Sequence, residues 1–258
     1  MEEDACHDDG DEGTAYSYPL SKKQMDTSFL DRVVAAVVNG CVALDLGCGP
    51  HCQAARYFAA ATSSTATTTK KIFTCIIATD IDDAACVAAA KCTAGHHGVQ
   101  VRQLDARLGF EQLGVSAGPS VVGLISIFYV LQHLTESETS LLFHQCSARL
   151  ASPGGVLAVA ALLDQDTSSD ADGGAAGTAV GPLASPHATA AAAAATTSTL
   201  PRLDPLFRGM YKSFTTVTLL TDQLAAAGFT ALEHVSTRPA IYPNEFPCDR
   251  VYIIATKK

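Results

Sequence analysis

Asp45, Asp80 and Asp105 each fall at the carboxyl end of a strand-like run, and two glycines, Gly47 and Gly49, follow the first of them. Glycine lets the backbone take positive φ and approach a ligand with no Cβ in the way. Helix-like residues from Cys52 to Ala60 come next, and a helix start offers unpaired N–H groups to the same place. In an open α/β sheet, ligands sit outside the carboxyl ends of the strands. There, a carboxylate ending the second strand can accept both hydroxyls of a ribose. One ending the third strand can receive an exocyclic adenine amine, and one beside the glycine turn can face an ammonium, directly or through water.

Adenine, ribose and a charged amino-acid tail together describe S-adenosylmethionine. The elements that must position these groups are legible along the chain. Met25, Phe29, Leu30, Val33, Val34, Val37 and Val38 recur at helical spacing, giving an amphipathic helix that ends near Asn39-Gly40. Strands are expected at about Cys41–Leu46, Ile72–Thr79, Val99–Leu104, Val121–Ile127 and Val156–Ala161. An alanine-rich helix begins at Asp82 and Asp83. Thr135-Glu136-Ser137-Glu138, preceded by Leu134, reads as a capping box for a helix running to about Leu150. A helix from about Thr216 to Ala227 is closed by Gly228. Two strands follow, near Thr230–Val235 and Val251–Ala255, with no helix between them, which implies a hairpin at one sheet edge. Strands alternating with helices argue for βαβ units and an α/β, Rossmann-like parallel sheet with helices on both faces.

Composition bounds the rest. The 258 residues suffice for one core, 48% are hydrophobic, and no run approaches a membrane span or a secretory leader. The formal charge is −9, but seven acids lie within residues 1–14, and the remainder has 19 acidic against 17 basic residues. Residues 1–20 therefore read as a disordered acidic tail, and no basic stripe speaks for nucleic acid. Residues 21–258 read as a single domain carrying a low-complexity Ala/Thr/Ser/Gly insertion at about 164–205. Nine cysteines with irregular spacing read as reduced thiols of a cytoplasmic protein, the nucleus being the alternative compartment.

Leu44-Asp45-Leu46-Gly47-Cys48-Gly49-Pro50 resembles the first motif of class I S-adenosylmethionine-dependent methyltransferases. Ala78-Thr79-Asp80-Ile81-Asp82 resembles the second motif and Gln103-Leu104-Asp105-Ala106 the third. Leu150-Ala151-Ser152-Pro153-Gly154-Gly155 resembles the segment before strand five. The resemblance covers roughly residues 25–163 and the last 50. It implies a seven-stranded sheet with an antiparallel last strand, and a cofactor held by Asp45, Gly47, Cys48, Gly49, Asp80, Ile81, Asp105, Ala106 and Phe128. Two positions depart from it: His51 replaces the third glycine of the first motif, and Gly123 stands where strand four commonly carries Asp.

Ile127–Thr135 and Asn244-Glu245-Phe246-Pro247 with Val251, Tyr252 and Ala255 are similar to a narrower group, the protein α-N-terminal methyltransferases. That group's Asp-Asn after strand five is replaced by Ala160-Ala161-Leu162, unless Asp164 or Asp166 substitutes. The resemblance makes Tyr129 and His133 the catalytic candidates, with a pocket wall and a helix cap as their structural alternatives. Tyr211 is a candidate for closing over substrate, and Tyr16 and Tyr18 for an N-terminal lid. The expected acceptor is a protein N-terminus or another amine, with a small-molecule acid or amine next.

Other readings fare less well. A nicotinamide dehydrogenase needs the full Gly-x-Gly-x-x-Gly, and Cys52 occupies the final position. Ser126-Ile127-Phe128-Tyr129 stands where enzymes that methylate glutamine or DNA amines carry Asn-Pro-Pro-Tyr. No carboxylate/His cluster has metal-ligand spacing, so no metal is expected. A non-catalytic protein of the same fold, kept for its partners, remains the alternative to an enzyme.

Overall fold

The computed structural model describes residues 26–64, 71–96, 98–110, 113, 122–163, 215–237 and 250–258. The expected tail (1–20) and insertion (164–205) lie outside the described residues, as do Tyr16, Tyr18, Tyr211, Asp164 and Asp166. In chain order the elements are α1 (Thr27–Ala36), β1 (Cys41–Leu46), α2 (Gln53–Ser64), β2 (Phe73–Asp80), α3 (Asp83–Thr93) and β3 (Val99–Gln103). They continue with β4 (Val122–Phe128), α4 (Glu136–Arg149), β5 (Val156–Leu162), α5 (Val217–Ala226), β6 (Phe229–Thr237) and β7 (Arg250–Lys257).

The strands form one seven-stranded sheet in the order β3-β2-β1-β4-β5-β7-β6. Pairs from β3 to β5 are parallel, while β7 runs antiparallel to both β5 and β6. Strand order reverses between β1 and β4, which opens a crevice at their carboxyl ends. The expected hairpin exists, and its second strand is the inserted one, leaving β6 at the edge. No helix among the described residues is long and apolar enough to cross a membrane.

Alternating side chains feed two cores, one on each face of the sheet. Val42, Leu44 and Leu46 join Ile125, Ile127, Leu157 and Val159 on one face, beneath Phe143 of α4 and Leu220 of α5. Ala43, Ala78, Leu124, Ala158, Ala160 and Ile254 lie on the other, beneath Phe29 and Val33 of α1 and Phe58 of α2. The small side chains of that second face let α1 and α2 come close to the sheet.

The capping box of α4 forms as expected: the Thr135 side chain accepts from the Glu138 amide, and the Glu138 carboxylate accepts from the Thr135 amide at 2.7 Å. Asp82 caps α3. Most observed boundaries fall close to the expected ones. The larger differences are α1, which stops at Ala36 with Val37 as its extended cap, α2, which runs on to Ser64, and the final strands, which extend to 229–237 and 250–257.

The Gly123 departure has a packing cause. A Cβ at position 123 would stand 2.5 Å from Cys41 Sγ and 2.6 Å from Cys41 Cβ. Cys41 itself is buried, and burial pushes its thiol up to about 11. Glycine in β4 is thus the complement of a side chain at the start of β1. Gly123→Ala is expected to cost about 1–3 kcal/mol through overpacking. Adding Cys41→Gly should recover part of that loss, read as a non-additive double-mutant cycle in denaturant unfolding.

Candidate functional site

Beside the switch point, the ends of β1, β2 and β3 are tied to one another. The Cys48 amide donates to Thr79 O at 2.8 Å, and the Leu104 amide donates to Asp80 O at 2.8 Å. The Gly49 amide donates to Asp80 Oδ2 at 2.9 Å, and the Asp82 amide to Asp80 Oδ1 at 3.0 Å. Asp80 therefore ties the glycine turn to the end of β2 and the start of α3, and each of its oxygens keeps further acceptor capacity. Gly47 and Gly49 both have positive φ, +68° and +62°. A Cβ on Gly47 would meet Val130 Cγ2 within van der Waals overlap, whereas one on Gly49 would meet nothing within 4 Å. The first glycine admits the loop after β4, and the second leaves open space.

Asp45 lies on the floor of this turn, 2% exposed. It is paired in register with Ser126 of β4, whose hydroxyl donates to Asp45 Oδ1 at 2.7 Å. Its Oδ2 is buried without a hydrogen bond of normal geometry. Burial raises the carboxyl from 3.8 to about 7; the Ser126 hydroxyl and the Ala55 amide oppose the rise, and the nearby Asp80 charge adds to it. Among the described residues, the groups that act on Asp45 include no cation.

The remaining expected residues take these places. Cys48 is half-buried in the turn; its thiol is hydrogen-bonded to Cys52 and, with burial and the two acids, pushed well above the usual thiol range, so it stays protonated. Ile81, directly after Asp80, is 53% exposed. Its carbonyl accepts from Gln103 Nε2 at 3.0 Å. Asp105 caps the 3-10 turn Ala106–Leu108, and Ala106 packs on the core. Arg107 grips the Asp105 carboxylate with its guanidinium, Nε to Oδ1 at 2.8 Å and Nη2 to Oδ2 at 2.6 Å. Phe128 ends β4, buried edge-on to Phe29 of α1. His51 is half-buried.

Tyr129 follows β4 in a left-handed conformation, φ +58°. Its hydroxyl shares a 2.9 Å hydrogen bond with that of Tyr252, and the Arg250 guanidinium lies 5.8 Å from its ring centre. Burial, reinforced by Tyr252, pushes the phenol well above its ordinary value, so it stays neutral even in strongly alkaline solution. His133 is exposed at the end of the 3-10 turn Leu131–His133. Sequence reasoning misses the parts that Ser126, Arg107, Arg250 and Tyr252 play here. For Ser126 a signal exists, a lone hydroxyl inside the apolar run Ile125-Ser126-Ile127.

No protein-family model matches the chain, and no curated protein sequence is significantly similar to it. Solved structures do match. The N-methyltransferase NodS from Bradyrhizobium japonicum WM9, in complex with S-adenosyl-L-homocysteine, is 12% identical over 95% of this chain and 93% of its own, with a TM-score of 0.56. A SAM-dependent methyltransferase from Methanosarcina mazei is 13% identical over 88% and 96%, also at 0.56. The cyclase SpnF is 15% identical over 89% and 80%, again at 0.56. At these identities the likeness establishes the fold, that of the class I methyltransferases.

The raised carboxyl of Asp45 has a signed consequence. Between about pH 4 and 7 the folded state holds a proton that the unfolded state has released, so this group makes stability fall as pH rises through that window. Relative to Asp45→Asn, the unaltered protein should lose on the order of a few kcal/mol of unfolding free energy between about pH 4 and pH 8. Denaturant titrations at both pH values, with parallel curves for the two proteins overturning the assignment, provide the check.

Proposed function

We propose that this chain is an S-adenosylmethionine-dependent methyltransferase acting on an amine. The carrying observation is the buried carboxyl of Asp45, with no cation among the described residues acting on it, beneath an open glycine turn whose Gly49 amide is held by Asp80. Those residues fit the cofactor: Asp45 answers its ammonium, Asp80 its ribose hydroxyls, Asp105 its adenine amine, and Gly49 leaves room for close approach. Ile81, 53% exposed, offers apolar surface beside Asp80, whereas Phe128 backs the end of β4 from within the core. When bound, the cofactor supplies a methyl group on an activated sulfonium, and the protein's task is chiefly alignment.

An amine must be unprotonated to accept that methyl. Tyr129, neutral and fixed to Tyr252, is read as an orienting wall, and His133 as the group that takes the proton. Ala160, Ala161 and Leu162 are buried in β5. They offer a peptide N-terminus no polar anchor, so the anchor for an amine must come from elsewhere. A second reading has its own support. SpnF is named as a cyclase, and the same fold therefore also carries a protein named for other chemistry.

Isothermal titration with S-adenosylmethionine and S-adenosylhomocysteine is the test. Micromolar binding is expected, weakened about tenfold or more by Asp80→Ala. With a free-amine peptide or small amine that is turned over, His133→Ala should lower kcat more than it raises KM. No heat from folded protein with either ligand overturns the cofactor reading, whereas binding without turnover of any amine favours the second reading.

A further inference from the structure

We infer that Arg107 is a specificity-determining positioning residue, holding Asp105 so that the cleft selects a base bearing an exocyclic amine. The inference rests on the reading of Asp105 as the adenine-amine acceptor. Asp105 stands two residues beyond β3, at the cap of a three-residue 3-10 turn. A carboxylate held only by such a short turn would rotate among several orientations.

Arg107 removes that freedom. Its Nε donates to Oδ1 at 2.8 Å and to Oδ2 at 3.1 Å, its Nη2 to Oδ2 at 2.6 Å, and its backbone amide to Oδ1 at 3.0 Å. A forked guanidinium fixes the plane of the carboxylate as well as its position, which a lysine ammonium cannot do. The fork is itself steadied from α4, where Glu138 Oε1 lies 3.8 Å from Arg107 Nη1. Glu138 is the capping-box residue of that helix, so the fork is braced by a fixed element. A carboxylate held in this way accepts from an N–H donor and is a poor neighbour for a carbonyl.

Titrations of S-adenosylhomocysteine and S-inosylhomocysteine, which carries a carbonyl in place of the amine, test this in the unaltered protein and in Arg107→Met and Arg107→Lys. The Arg107 side chain is 38% exposed, so Arg107→Met should stay folded. The unaltered protein is expected to prefer the amine by about tenfold or more. That preference should fall at least about fivefold in Arg107→Met, with Arg107→Lys only partly restoring it. A preference that persists or grows in Arg107→Met overturns the proposal, the second outcome marking Arg107 as a competitor for Asp105. No preference in the unaltered protein overturns the reading of Asp105 and this inference with it.

Discussion

The hydrogen bond between Ser126 and Asp45 joins the two strands at which the sheet changes direction. It places an acidic side chain inside the protein, on the face covered by α1 and α2, where no cation among the described residues compensates it. Burying a carboxylate in this way is costly unless it is neutralised or paired. The fold tolerates it because the hydroxyl bonds one oxygen and burial favours the protonated form up to about neutral pH. A positive charge brought beside Asp45 would favour its ionised form.

Around that floor the backbone does the positioning. The turn after β1 is hydrogen-bonded to the end of β2, and the end of β2 to the residue after β3. The strand ends that carry three acids remote in sequence are thus joined by main-chain contacts, while the Asp45 and Asp105 carboxylates are held by the side chains of Ser126 and Arg107. Gly47 yields to Val130 from the loop after β4, so the glycine turn and the candidate acceptor side are packed against each other.

The candidate acceptor side is aromatic. Phe29 of α1 packs against Phe128 and Tyr252, and Tyr252 hydrogen-bonds Tyr129. Tyr129 holds this arrangement with a left-handed backbone, a conformation that an aromatic residue adopts only where its surroundings impose it. The result is a fixed, neutral wall next to the strand end from which the candidate cofactor residues project.

Local pattern was enough for the strands, the helices, the capping box of α4, the acids at the strand ends and the final hairpin, because alternation, helical spacing and turn chemistry are written in neighbouring residues. Asp45, Asp80 and Asp105 could be named from that alone. The sequence could not show that Ser126 meets Asp45, 81 residues away, or that Gly123 answers Cys41. Each pair is distant along the chain and meets only through the pairing of β1 with β4. Arg107 lies just two residues from Asp105, yet its grip depends on the turn that bends it back. The charge state of Asp45 was likewise decided by tertiary structure, because burial depends on what the rest of the chain brings to cover it.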